Sequence, residues 1–230
     1  MIRMDMITLM AMPMREKIMR TDAALTLNQW LSPAFPVGAF TYSHGLEAAF
    51  HAGWITDAAS LQAWLCDLLT LGSAHADAHF VAAAYHGQVP LAEVDGMARA
   101  FAPCRERLLE TVAQGKAFCD VVGHVWDREL AGLTYPVALG RAAAIEELPL
   151  EMTLTLYLQA FISNLVSAAQ RLGPIGQTEA QQVIRALAPT CAETATEACD
   201  GNLSHIASAT FLSDIASMKH ETQYSRIFRS

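Results

Sequence analysis

Residues Pro149–Gly173, PLEMTLTLYLQAFISNLVSAAQRLG, decide the reading of this chain. A proline opens the stretch, where a missing N–H costs a helix little. Glu151 in the first turn and Arg171 in the last complement the helix dipole. Gly173 and Pro174 close it. Leu154, Leu158, Phe161, Leu165 and Leu172 recur at helical spacing. No Asp, Glu, Lys or Arg occurs between Met152 and Gln170. A helix without a charged face is either buried or in a membrane. The length suits a bilayer, about 20 residues, but Thr153, Thr155, Gln159, Ser163, Asn164, Ser167 and Gln170 punctuate it, and no basic cluster marks either end. The stretch therefore reads as the central rod of a helical bundle. Tyr157, Ala160, Asn164, Ser167 and Arg171 form one stripe where small residues admit a neighbour.

The rest of the chain agrees. From Leu25, short amphipathic segments follow one another: LTLNQWL, GLEAAFHAG, a helix capped by Asp57 with Leu61, Trp64, Leu65, Leu68 and Leu69 inward, SAHADAHFVAAAYHG, Leu91–Phe101, a long helix from about Pro103 to Leu130, Tyr135–Glu147, and one or two helices after Gly176. No strand-like alternation or internal repeat appears. The expected fold is all-α, one domain of roughly eight to ten helices around the 149–172 rod. Residues 1–24 hold seven of the ten methionines and read as a poorly ordered extension; a soft-metal tract is the other reading of such a composition.

Ser32–Glu47, SPAFPVGAFTYSHGLE, is kept irregular by Pro33, Pro36 and Gly38 although it is rich in Phe35, Val37, Phe40 and Tyr42. It is either packed on the bundle or a preformed surface for a partner. Ser43 is placed to cap the helix that follows.

At 230 residues and 53% hydrophobic the chain can bury a large core. Its net charge of −8 argues against nucleic acid as a partner. Five scattered cysteines without a CxxC pair read as free thiols in a reducing compartment. No secretory signal is apparent, and a cytoplasmic location is expected. The sequence contains no P-loop, GxSxG elbow or HExxH pair. Its one metal-like run is HADAH: His75 and His79 share a helix face at the i, i+4 spacing metals use, with His86 seven residues on. A nickel carrier acting through these histidines is the rival to a purely recognitive role. The closing run HETQYSRIFRS carries Tyr224, Ile227 and Phe228 as anchors flanked by Arg226 and Arg229, a composition common at interface hot spots. It reads equally as a tail docked on its own bundle or as one ordered by a partner.

Four runs, taken together and in order, carry a resemblance: SPAFPVGAFTYSHGLEAAFHAGWI, YPVALG at 135–140, NLVSAAQRLGPIGQ at 164–177 and DIASMKHETQYSRIFRS at 214–230. They resemble the urease accessory protein F (UreF) family from about Leu25 to Ser230. The resemblance implies an all-α, dimeric, non-enzymatic protein. It would bridge a D-type (or H-type) accessory protein and a G-type GTPase during nickel insertion into apo-urease, and influence how that GTPase uses GTP. Nickel and GTP would then be handled by the complex, with no cofactor of the chain's own and no catalytic residues. Pro36, Gly38, Tyr42, Ser43, Gly45 and Glu47 match the family's PVGxxxYSxGLE. Arg171, Pro174, Gly176 and Gln177 match its RLxPxGQ. His220, Glu221, Thr222, Gln223, Tyr224, Ser225, Arg226, Phe228 and Arg229 match its tail. These are the candidate partner-binding residues, with 219–230 as a partner-dependent tail. Two positions depart: His44 stands where the family often has Gln, and in CRERLLE (104–110) Leu108 stands where a second Arg is expected.

Overall fold

The computed structural model describes residues 14–230 apart from 131 and 174, with side chains from Asp22 onward. Residues 1–13, most of the methionine-rich stretch read as an extension or a soft-metal tract, lie outside the described residues, as does Pro174. The helices are α1 (Met14–Trp30), α2 (Leu46–His51), α3 (Ala58–Leu71), α4 (Ser73–His86), α5 (Leu91–Ala100), α6 (Arg105–Trp126), α7 (Tyr135–Ile145), α8 (Leu150–Leu172), α9 (Gln177–Ala198) and α10 (Phe211–His220), with 3-10 turns at Ala39–Thr41 and Leu203–His205. No strand occurs among the described residues. The expected all-α fold and its helix count are found.

Helix α8 is the expected rod. By length and composition it could cross a bilayer. Instead it packs against α9, α4, α2, α1, α3 and α7. Leu154, Leu158, Ile162, Leu165 and Ala169 are wholly buried, and its exposed positions are Glu151, Ser167 and Arg171. A second helix shares the centre. α4 buries Ala74, Ala76, Ala78, Phe80, Val81, Ala82, Ala83 and Ala84 and contacts α7, α3, α8, α5 and α9. Its small side chains let neighbouring backbones come close. At the α4–α7 crossing a Cβ on Gly140 would fall 2.1 Å from the carbonyl oxygen of Val81. Gly140→Ala must therefore force two helices apart. It should cost about 1–3 kcal/mol or more, read as a lowered urea midpoint with the slope unchanged.

Local signals explain most helix ends. Asp57 accepts from Ser60 N–H while the Ser60 hydroxyl accepts from Asp57 N–H, a reciprocal cap on α3. Asp127 takes a left-handed conformation (φ 56°) after α6, so that helix stops short of the expected Leu130. Gln177–Ala198 is one helix, not two, and it carries Pro189 inside. Helix α1 begins at Met14, ahead of the Leu25 at which patterning becomes legible. Ser43 is not the N-cap residue of α2, although its hydroxyl accepts from Glu47 N–H in the first turn at 3.4 Å: the N-cap is Gly45 (φ 77°), and a Cβ there would fall 2.6 Å from Ser217 N on α10. Only glycine meets both demands, the left-handed backbone and the close approach.

Candidate functional site

The irregular 32–45 segment is packed, not loose. Phe35, Val37 and Tyr42 are buried. It is fastened to α8 by the polar stripe read from the sequence: Asn164 Nδ2 donates to Ala39 O (3.1 Å) and Arg171 Nη1 to Phe40 O (2.9 Å). The Ala39–Thr41 turn satisfies part of its own backbone, with Tyr42 N–H donating to Ala39 O, and two side chains of the rod add bonds to its carbonyls. Between this segment, α1, α6, α7 and α8 lies a cavity of about 690 Å³.

His44, Asp77, Arg107 and Glu110 line the cavity together. Glu110 accepts hydrogen bonds from His44 Nε2 (2.6 Å), Arg107, Gln114 Nε2 (3.1 Å) and the Ser230 hydroxyl (2.7 Å). Burial alone would raise its pKa, but Arg107 and His44 more than reverse this and hold it at about 2. Burial lowers the pKa of His44, so its ring donates to Glu110 as a neutral imidazole. Asp77 is pushed the other way, to about 6, by burial; its carboxylate accepts from the Tyr157 hydroxyl (2.8 Å). His44 also has a positive φ of 54°. The His44 departure is therefore one arm of a buried ionic centre, whose other members, Asp77, Arg107 and Glu110, were not among the candidates. CRERLLE supplies two members of this centre, Arg107, beside the departing Leu108, and Glu110.

Around this centre the C-terminal segment closes as a strap. After α10 the chain turns through Gln223 N–H to His220 O (3.1 Å) and runs back past α2. The Glu47 carboxylate, 1% exposed, accepts from the N–H groups of Ile227 (2.8 Å) and Phe228 (2.9 Å). Ser43 N–H and hydroxyl both donate to Ser230 O, and Arg229 N–H donates to Thr41 O. His220, fully buried, sits with Nδ1 2.7 Å from Glu106 and Nε2 3.4 Å from Glu47; Arg226 reaches Glu106 at 2.5 Å. Glu221 accepts from Glu106 N–H, and Gln223 contacts His51 Nδ1 at 2.9 Å. Phe228 is buried beneath the Arg171 guanidinium, 4.5 Å from the ring centroid. Of the two readings of the tail, the structure displays the docked one.

The candidate residues thus divide. Tyr42, Ser43, Gly45, Glu47, His220 and Phe228 are buried, holding segments of the chain to one another. Gly38 (φ 73°), Glu221 and Gln223 are half-buried. Pro36, Arg171, Gly176, Gln177, Tyr224, Arg226 and Arg229 are exposed. Gly176 N–H is taken by Glu179 at the start of α9. Tyr224 makes no burial at all, and Ile227 stays 68% exposed.

An outward surface also emerges that the candidates did not include. Phe211, Leu212, Ile215 and Met218 on α10 are 71, 54, 42 and 50% exposed. Their i, i+1, i+4, i+7 spacing is a helix-face pattern, normally turned to a core. Here the opposite face, Ala216, Ser217 and His220, is the buried one. On α4, burial lowers the pKa of His75 and takes that of His79 down to about 4. Among the described residues no group of three His, Cys, Asp or Glu is placed to hold a metal ion as it stands.

This is a helical body with a strapped, buried ionic centre and an apolar helix face turned outwards, an anatomy suited to recognition. The chain belongs to the UreF family. The family model UreF matches residues 55–188. The chain is 52% identical over 208 residues to the urease accessory protein UreF of Ruegeria pomeroyi, covering 90% of this chain and 96% of that one. It is 47% identical over 226 residues to that of Bradyrhizobium diazoefficiens (92% and 93%) and 50% identical over 208 residues to that of Cereibacter sphaeroides (90% and 99%).

Proposed function

We propose that the chain is a non-enzymatic adaptor for urease maturation. It bridges a D(H)-type accessory protein and a G-type GTPase during nickel insertion into apo-urease, modulates that GTPase's use of GTP, and works as a homodimer. The observation that carries this reading is the outward face of α10. Four large apolar side chains in the open are unfavourable for a free chain and suit a partner surface. The chain's own sequence has no P-loop, in keeping with a nucleotide bound by the partner. The Glu47 and Glu110 carboxylates are tied to backbone N–H groups and to Arg107, which suits a scaffold better than a reacting centre. The D-type protein is assigned to α10 and the strap, because the strap fixes where α10 stands.

The test is capture of the purified D-type protein by the chain carrying Phe211→Asp with Ile215→Asp. Both side chains point away from the fold, so thermal unfolding should hardly move. Affinity should fall by about thirtyfold or more, the loss expected of a central hot spot. Undiminished capture would remove α10 from the interface and with it the support for this reading.

A further inference from the structure

A second feature is independent of the bridging reading and concerns α4. His75 and His79 are one turn apart, their ring centroids 4.7 Å from each other. A third imidazole, distant in sequence, joins them: His205 lies with its centroid 6.1 Å from that of His79. The turn carrying it is pressed onto α4. A Cβ on Gly201 would fall 2.9 Å from Ala83 N, and the Leu203–His205 turn contacts α4 directly. His79 is 1% exposed, yet its Nδ1 has no hydrogen-bond partner; that of His75 is likewise buried and unpaired. Orphaned ring nitrogens out of reach of water are costly. Nothing in the ionic centre or the strap uses them.

We propose that His75, His79 and His205 form a binding site for one divalent first-row transition-metal ion. A metal–nitrogen bond of about 2.0–2.1 Å places two rings at a tetrahedral angle with centroids about 5 Å apart, and the two observed separations bracket that spacing. Imidazole donors select zinc, nickel, cobalt or copper over magnesium or calcium. Asp200 Oδ2, 3.7 Å from His205 Nδ1, is the carboxylate that can fix the tautomer of the third ligand. The His75 and His79 rings already meet edge to face, and the third arm is not closed. His205 is exposed and its Nε2 is held only by the Asn202 amide at 3.2 Å, a contact the ion displaces.

The experiment is calorimetric titration of the untagged full chain with zinc chloride, repeated with cobalt(II) chloride for its visible spectrum. One equivalent should bind with a dissociation constant of about 10 µM or tighter, and cobalt should show a low-symmetry, strongly absorbing band. His205→Ala, at an exposed position, should leave the unfolding midpoint in place and weaken binding about tenfold or more. His124→Ala, on α6, should change nothing. Absence of binding would overturn the site. So would binding that survives His205→Ala and His75→Ala, or binding lost only when residues 1–12 are removed.

Discussion

Glu47→Ala should lower stability by about 3–5 kcal/mol and free the strap in one step. The carboxylate is the common acceptor for two successive amides of the returning chain and one of two acids flanking buried His220. Removing it leaves the buried Phe228 N–H and the half-buried Ile227 N–H without an acceptor, and an orphaned buried group is penalised beyond the bond lost. Urea unfolding at neutral pH reads the stability. Amide hydrogen exchange reads the release: Ile227 and Phe228 should go from slow exchange to rates near those of an open chain. Glu47→Gln is a useful second variant, since an amide oxygen can still accept from one of the two N–H groups and should retain part of the protection. If both variants kept the wild-type exchange pattern, the strap would be fastened by Phe228 and Arg171 instead.

Glu110→Ala should be comparably severe, again about 3–5 kcal/mol, because it abandons Arg107 as a buried unpaired cation. Replacing both partners, Arg107→Met with Glu110→Leu, should recover much of the loss, since desolvation of the pair is costly in the first place. The pH dependence follows from the same geometry. Glu110 titrates near 2 in the folded chain against an ordinary 4.5, so the stability it contributes is present above pH 4.5 and is lost as pH falls towards 2. The shift corresponds to about 3 kcal/mol. Asp77 has the opposite sign. With its pKa raised to about 6, its ionisation weakens the fold as pH rises from 3.8 to 6. Burial lowers the pKa of His44, His75 and His79, the last to about 4, so charging them draws stability down as pH falls from 6.5 and outweighs Asp77. Stability should therefore decline on acidification from about 6 and fall steeply below 4.5. Glu110→Gln should remove the steep limb.

The rod was legible because its signals are local: terminal charges matched to the dipole, a closing Gly-Pro, and no charge between. The prolines of 32–47 likewise announce an irregular backbone, and the polar stripe of α8 foretold a close neighbour, which is the 38–40 turn. The co-central role of α4 was not visible. Alanine gives little hydrophobic contrast, so a helix buried by close approach looks in sequence like a weakly amphipathic one. The ionic centre was illegible for another reason. His44, Asp77, Arg107 and Glu110 are far apart in the chain or lie on helix faces where a charge reads as solvated, and only packing sets them against one another. The same holds for His205 beside His79. The outward face of α10 was hidden by its own regularity, since an apolar helix stripe is read as core until the opposite face is seen to be the buried one.

The most direct test of the adaptor account is hydrogen exchange of the full chain alone and with the D-type accessory protein bound. The account predicts new protection concentrated on Phe211–Met218 and on Tyr224 to Arg226, with the amides around Glu110 and those of Ile227 and Phe228 unchanged because they are already held. Protection confined to other helices, with α10 exchanging as in the free chain, would contradict it.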